Sequence, residues 1–230
     1  MLLLRRAAYG LSHIFYPRLC AGCRRPLLQA EQVLCLHCAD LLPRTQHHHL
    51  PDNETALRFA GRFPFVAACS FAYFTGEGLL QHLLHGLKYN GRKETGIFLG
   101  RQFAYDLQDT AWIRTIDLIV PVPLHPRKEA TRGYNQSALI AEGMSGMLQL
   151  PWSGKLLRRI KHTGSQTKKT REERAENVSG AFALSGPVAG RHILLLDDVL
   201  TTGATLEACA IAVLSAGNVQ VSLATIGLAV

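Results

Sequence analysis

The chain has 230 residues, 47% of them apolar and 18% charged, with a formal net charge of +8. That is enough apolar material for one α/β domain plus a small module, while the longest apolar runs fall well short of a membrane span, which makes a soluble, cytoplasmic protein the expectation. The charge is uneven: Arg127 to Arg174 holds eleven Lys or Arg against four acids, +7 of the total, a balance suited either to nucleic acid or to a phosphate-rich ligand.

From the start of the chain, Leu4, Ala7, Ala8, Leu11, Ile14 and Phe15 recur at helical spacing and predict a short amphipathic helix over 3–15. The run Met1 to Leu4 is too short for a cleavable signal and is followed at once by Arg5 and Arg6. Cys20, Cys23, Cys35 and Cys38 then form C-x2-C-x11-C-x2-C. Two tight knuckles at that spacing close a tetrahedral thiolate site around one structural zinc ion, with no position left for water. A pair of disulfides is the competing reading and needs an oxidising compartment. Residues 43–54 read as a polar linker, with His47, His48 and His49 in a solvated loop. A module over 1–50 followed by a domain over 51–230 is the division expected.

Within the second part, Phe65 to Phe74 predicts one or two strands, 77–89 and 94–107 predict helices, and Ile116 to Val122 predicts a strand buried on both faces. The segment PVPLHPRKEATRGYNQS leaves that strand as a loop carrying Arg127, Lys128 and Arg132, and enters a helix near Asn135. Residues 161–177 are polar and cationic without apolar periodicity, which predicts a mobile segment. Cys69 and Cys209 are expected in the core. The run ILLLDDVLTTGAT, 193–205, is a buried strand, an acidic pair and a hydroxyl-rich turn, and a helix over 206–216 follows it.

That order has chemical meaning. A helix start offers unpaired N–H groups and a positive dipole end to an anion in the preceding loop. Thr201, Thr202 and Thr205 add donors, and Gly203 lets backbone approach a phosphate closely. Asp197 and Asp198 cannot favour the same phosphate, so they call for ribose hydroxyls, or magnesium held by them, on one ligand. No Walker loop and no G-x-G-x-x-G after a strand occurs. The thirteen residues resemble the phosphoribosyl pyrophosphate (PRPP) motif of type I phosphoribosyltransferases. The resemblance assigns the diol to Asp197 and Asp198 and the 5-phosphate to Thr201, Thr202, Gly203, Ala204 and Thr205.

Over nearly the whole length, the Cys pairs, VPVPLHPRK through RGYNQS, HTGSQTKKTREERAENVSGAF and LLLDDVLTTGATL resemble the ComF family, in which a zinc module precedes a phosphoribosyltransferase domain. The fold implied is α/β, a type I phosphoribosyltransferase-like parallel sheet with flanking helices behind a small four-cysteine zinc module. The resemblance further implies a pyrophosphate loop at Leu124, His125, Pro126, Arg127 and Lys128. A basic lid would carry Lys161, Thr163, Gln166, Lys168, Lys169, Arg171 and Arg174. The cofactors implied are structural zinc and magnesium with PRPP; the role is competence, DNA uptake or use of single-stranded DNA, beside a helicase-like ATPase. Three readings stay open: a PRPP-binding protein of DNA uptake, a phosphoribosyltransferase of nucleotide salvage or biosynthesis with an unknown nitrogen nucleophile, and a PRPP sensor without turnover. No general base is assigned.

Overall fold

The computed structural model describes residues 17–160 and 180–230; the predicted helix over 3–15 and the whole of the cationic segment 161–177 lie outside them. Four parallel strands, β1 (Ala68–Phe74), β2 (Leu118–Pro121), β5 (His192–Leu200) and β6 (Gln220–Ala229), form a sheet in the order β1-β6-β5-β2. Both faces are covered, which is why β5 is apolar in succession rather than in alternation. Leu194 and Leu196 pack towards the helices α3 (Leu79–Tyr89), α4 (Lys93–Leu107) and α6 (Gln136–Leu148). Ile193 and Leu195 pack towards α2 (Glu54–Phe59), α7 (Ala204–Leu214) and an antiparallel pair, β3 (Leu157–Arg159) with β4 (Phe182–Leu184).

In α3, Leu80, Leu83, Leu84 and Leu87 make one buried stripe at helical spacing. Helices α4 and α6 cross backbone to backbone. A Cβ on Gly100 would lie 2.1 Å from the Ile140 carbonyl oxygen, and one on Gly143 would lie 2.2 Å from that of Ile97. Asn135 caps α6 by accepting from Ser137 N–H at 3.0 Å and donates to the Val122 carbonyl at 2.9 Å, tying the exit of β2 to the next helix.

The cysteine segment, with a one-turn-plus helix α1 (Leu36–Asp40), shares its core with the α3/α4 face of the sheet. Residues 43–54 are mostly exposed, as their polarity suggested, but they are anchored to the domain through buried Thr45, His47 and Asn53. His47–His49 is a 3-10 turn, and His47 is buried because its ring meets Thr55 Oγ1 at 3.0 Å, the first link of a chain through Ser70 and Thr225, each step 2.7 Å. Burial holds the His47 pKa below its usual value. Three further departures concern the sheet. Pro126–Arg132 is a short helix, α5, rather than loop, with His125 as its N-cap and Pro126 in its first turn. Strand β5 runs on through the acids to Leu200, pairing Asp197 with Thr225. Strand β6 sits at the centre of the sheet, and neither it nor the β3/β4 pair was predicted.

Candidate functional site

Because the strands are parallel, the loops leaving β2 and β5 open at the same end of the sheet, between adjacent strands. Residues 201–203 turn sharply from β5 into α7. Gly203 takes the turn at φ +81° as N-cap with no side-chain cap, so the first N–H groups of an eleven-residue helix face the concavity lined by Asp197 and residues 199–206. A Cβ at Gly203 would also meet the Phe59 ring at 2.8 Å. Two arginines hold the turn from behind. Arg58 donates to the carbonyls of Thr201 at 2.5 Å and Ala229 at 2.6 Å. Arg62 donates to the Thr202 carbonyl at 3.2 Å and pairs with Glu207 at 3.0 Å. Neither was a sequence candidate; both lie in α2 or just after it, 140 residues or more away, and nothing local signals the contact.

The acids are held differently. Asp197 Oδ1 accepts from Ser137 Oγ at 3.0 Å and from the Asp198 N–H at 2.8 Å. Asp198 is buried; its Oδ1 accepts from Val199 N–H at 2.9 Å, and Lys88 Nζ stands 2.5 Å from its Oδ2. Desolvation, with the Asp198 charge alongside, pushes Asp197 up to about 7. The sign follows from an ordinary value of 3.8: the folded chain holds a proton more firmly than the unfolded one, so stability contributed here is full below about pH 4 and lost as pH rises through about 7. Asp197→Asn keeps both accepted hydrogen bonds and removes the charge. It should therefore stabilise the fold at pH 8 by about 1–3 kcal/mol and make little difference at pH 4. Thermal melts at the two pH values check this; equal shifts at both would overturn it.

Lys88 also belongs to a neighbouring cleft of about 450 Å³, lined with Tyr89, Gly91, Arg127, Lys128, Thr131, Arg132 and Tyr134. Of the predicted pyrophosphate loop, Arg127 and Lys128 reach this cleft, on the first turn of α5. Lys88 was missed as a candidate, since a lysine near the end of an amphipathic helix reads as ordinary surface.

At the other end of the chain, the ligand atoms of Cys20, Cys23, Cys35 and Cys38 all lie within 4.8 Å of one another, with Cys23 Sγ 3.7 Å from Cys35 Sγ. Four thiolates about 2.3 Å from one ion would stand about 3.8 Å apart, so the cluster fits a tetrahedral metal. The backbone prepares it. Burial alone would raise Cys20, but N–H groups of Cys35, Cys23 and Gly22 outweigh it and bring the thiol down to about 6. Cys38, desolvated and facing the other sulfurs, is pushed up to about 12. Glu31 braces the loop between the knuckles, accepting from Leu28 N–H at 2.7 Å and Leu36 N–H at 2.8 Å and pairing with Arg25 at 3.0 Å.

Asp197, Asp198 and Thr201 to Thr205 thus gather at one end of β5, and Leu124 to Lys128 lie at the end of the adjacent strand. Lys161, Thr163, Gln166, Lys168, Lys169, Arg171 and Arg174 lie outside the described residues. Cys69 and Cys209 are core residues, as expected. Among the described residues, no helix is long and apolar enough to cross a membrane.

No family model matches the chain. The DNA utilization protein YhgH of Escherichia coli (strain K12) is 31% identical over 224 residues, covering 90% of this chain and 95% of that protein. Competence protein ComFC of Bacillus subtilis (strain 168) is 28% identical over 204 residues, covering 87% and 80%. Among solved structures, adenine phosphoribosyltransferase from Leishmania tarentolae is 14% identical, covering 59% of this chain and 70% of that one, at a TM-score of 0.36.

Proposed function

Since the chain belongs to the ComF family, with the DNA utilization protein YhgH and competence protein ComFC as relatives, we propose that it binds PRPP with magnesium at the end of β5 and β2, and that this binding serves DNA uptake or the use of single-stranded DNA. The observation that carries the PRPP reading is the strand that runs through Asp197 and Asp198 into a glycine-capped helix start, beside a cleft whose charged lining residues are cations. In this reading Thr201 to Thr205 hold the 5-phosphate with backbone N–H groups and hydroxyls, and the acids take the diol. Arg127, Lys128 and the cations of 161–174 take the pyrophosphate. Magnesium would supply charge neutralisation between pyrophosphate and ribose oxygens. Residues 1–50 are the metal module and zinc its ion; residues 51–230 are the phosphoribosyltransferase-like domain. The protein works in the cytoplasm, with a helicase-like ATPase as its partner in handling DNA.

Turnover is a second reading, favoured by the cationic lining of the cleft beside the acids, which suits a departing pyrophosphate. Calorimetric titration of PRPP with magnesium tests the first reading. Asp198→Asn should weaken binding by about 1–3 kcal/mol without unfolding, and Thr202→Val should weaken it through loss of a donor. Unchanged affinity in Asp198→Asn would show that the acids serve something else. Pyrophosphate release with one nitrogen base, in a screen of bases and amines, would establish turnover.

A further inference from the structure

We propose that the cleft between the end of α3 and helix α5 is a docking site for single-stranded DNA, taking an unstacked base against Tyr89 and a backbone phosphate on Arg132. It rests on the DNA half of the reading above and not on PRPP binding. The α5 wall is built by chain periodicity: Arg127, Lys128, Thr131 and Arg132 fall on one face of a single helical stretch. Lys88 adds a fourth cation from the opposite wall, and none of the described lining residues is acidic. The nearby carboxylate of Asp198 is held by Lys88 itself.

Aromatic rings are interleaved with these charges. Tyr89 leaves 68% of its surface exposed, with the Arg132 guanidinium 5.7 Å from its ring centre and the His85 ring at 4.8 Å. Lys93 stands over Tyr134 at 5.1 Å, and the Tyr134 hydroxyl donates to the Leu87 carbonyl, fixing that ring. Inorganic pyrophosphate gains nothing from an exposed aromatic, and a duplex has no base face free to meet one. A single strand uses both, through stacking and charge. A volume of about 450 Å³ admits a nucleotide unit.

The test uses the full chain and a fluorescein-labelled thymidine oligonucleotide of about 20 nucleotides, read by anisotropy across a salt series. Tyr89→Ala should weaken binding about tenfold with the salt slope unchanged. Arg132→Gln should reduce the slope by about 0.7, one contact on a single strand. A duplex of the same length should bind more weakly than the single strand. Oligonucleotide affinity unaltered by Tyr89→Ala, or a duplex bound as tightly, would overturn the proposal. PRPP titration on the same Tyr89→Ala protein separates the two sites: retained PRPP affinity with weakened DNA binding is expected, and equal loss of both would assign the cleft to PRPP and end the proposal. Tyr89-dependent DNA binding in a wild-type chain that takes no PRPP would leave this site standing and remove the PRPP reading.

Discussion

Stripping the metal with a chelator, or replacing Cys35 by Ser, is expected to destabilise the whole chain by about 4 kcal/mol or more, a fall in Tm of about 8–16 °C at this size. The reason lies in shared burial. Cys20 and Cys35 are fully buried, and the segment around them packs into the same core as Leu80, Leu83 and Phe103 on one face of the sheet. Leu79, at the start of α3, abuts the first knuckle so closely that a Cβ on Gly22 would meet its side chain at 2.9 Å and Cys38 Sγ at the same distance. Loss of the ion therefore leaves four thiols crowded without a partner and loosens the cover over α3 and α4. Metal analysis should return about one zinc per chain. Absence of metal together with a melt indifferent to chelator would refute both the ion and its structural weight.

Gly100→Val is expected to cost about 3 kcal/mol or more and to abolish PRPP binding with it. A side chain there drives into the Ile140 carbonyl, which is backbone and cannot rotate away, so α4 and α6 must separate. One of those helices, and the helix packed beside the other, carry the site's supports. Ser137, in the first turn of α6, orients Asp197, while Lys88 comes from α3, packed beside α4. Separation by an ångström would misplace both contacts even in molecules that still fold. Urea unfolding and PRPP titration check the two effects; a variant with wild-type midpoint would show that the crossing yields easily.

The cysteine cluster and the stretch 193–205 were legible because each is local: four ligands within nineteen residues, and a strand, turn and helix start in one run. Helices α3 and α4 were legible from a 3.6-residue period. The rest depends on partners far apart in sequence. His47 looked solvated because the polar residues that bury it, Thr55, Ser70 and Thr225, come from three other segments. Arg58 and Arg62 carry no mark of the turn they brace, and Lys88 none of the carboxylate it meets. Strand β6 is QVSLATIGLA, small and mixed enough to resemble any buried run until its neighbours on both sides are known.

The position of that strand also orders events in time. Residues 220–229 insert between β1, complete by residue 74, and β5, which begins at 192. A growing chain thus makes two sheet edges that have no mate until some 150 residues after the first appears, on the order of ten seconds of synthesis. Through that interval Phe71 belongs to a strand with an open edge, joined only near its end by the apolar run of β5, and such an edge is free to pair with other nascent chains. Completion of this sheet is consequently a late step, and the arginine that ties the turn after β5 to the Ala229 carbonyl finds both its acceptors only when the central strand is in place.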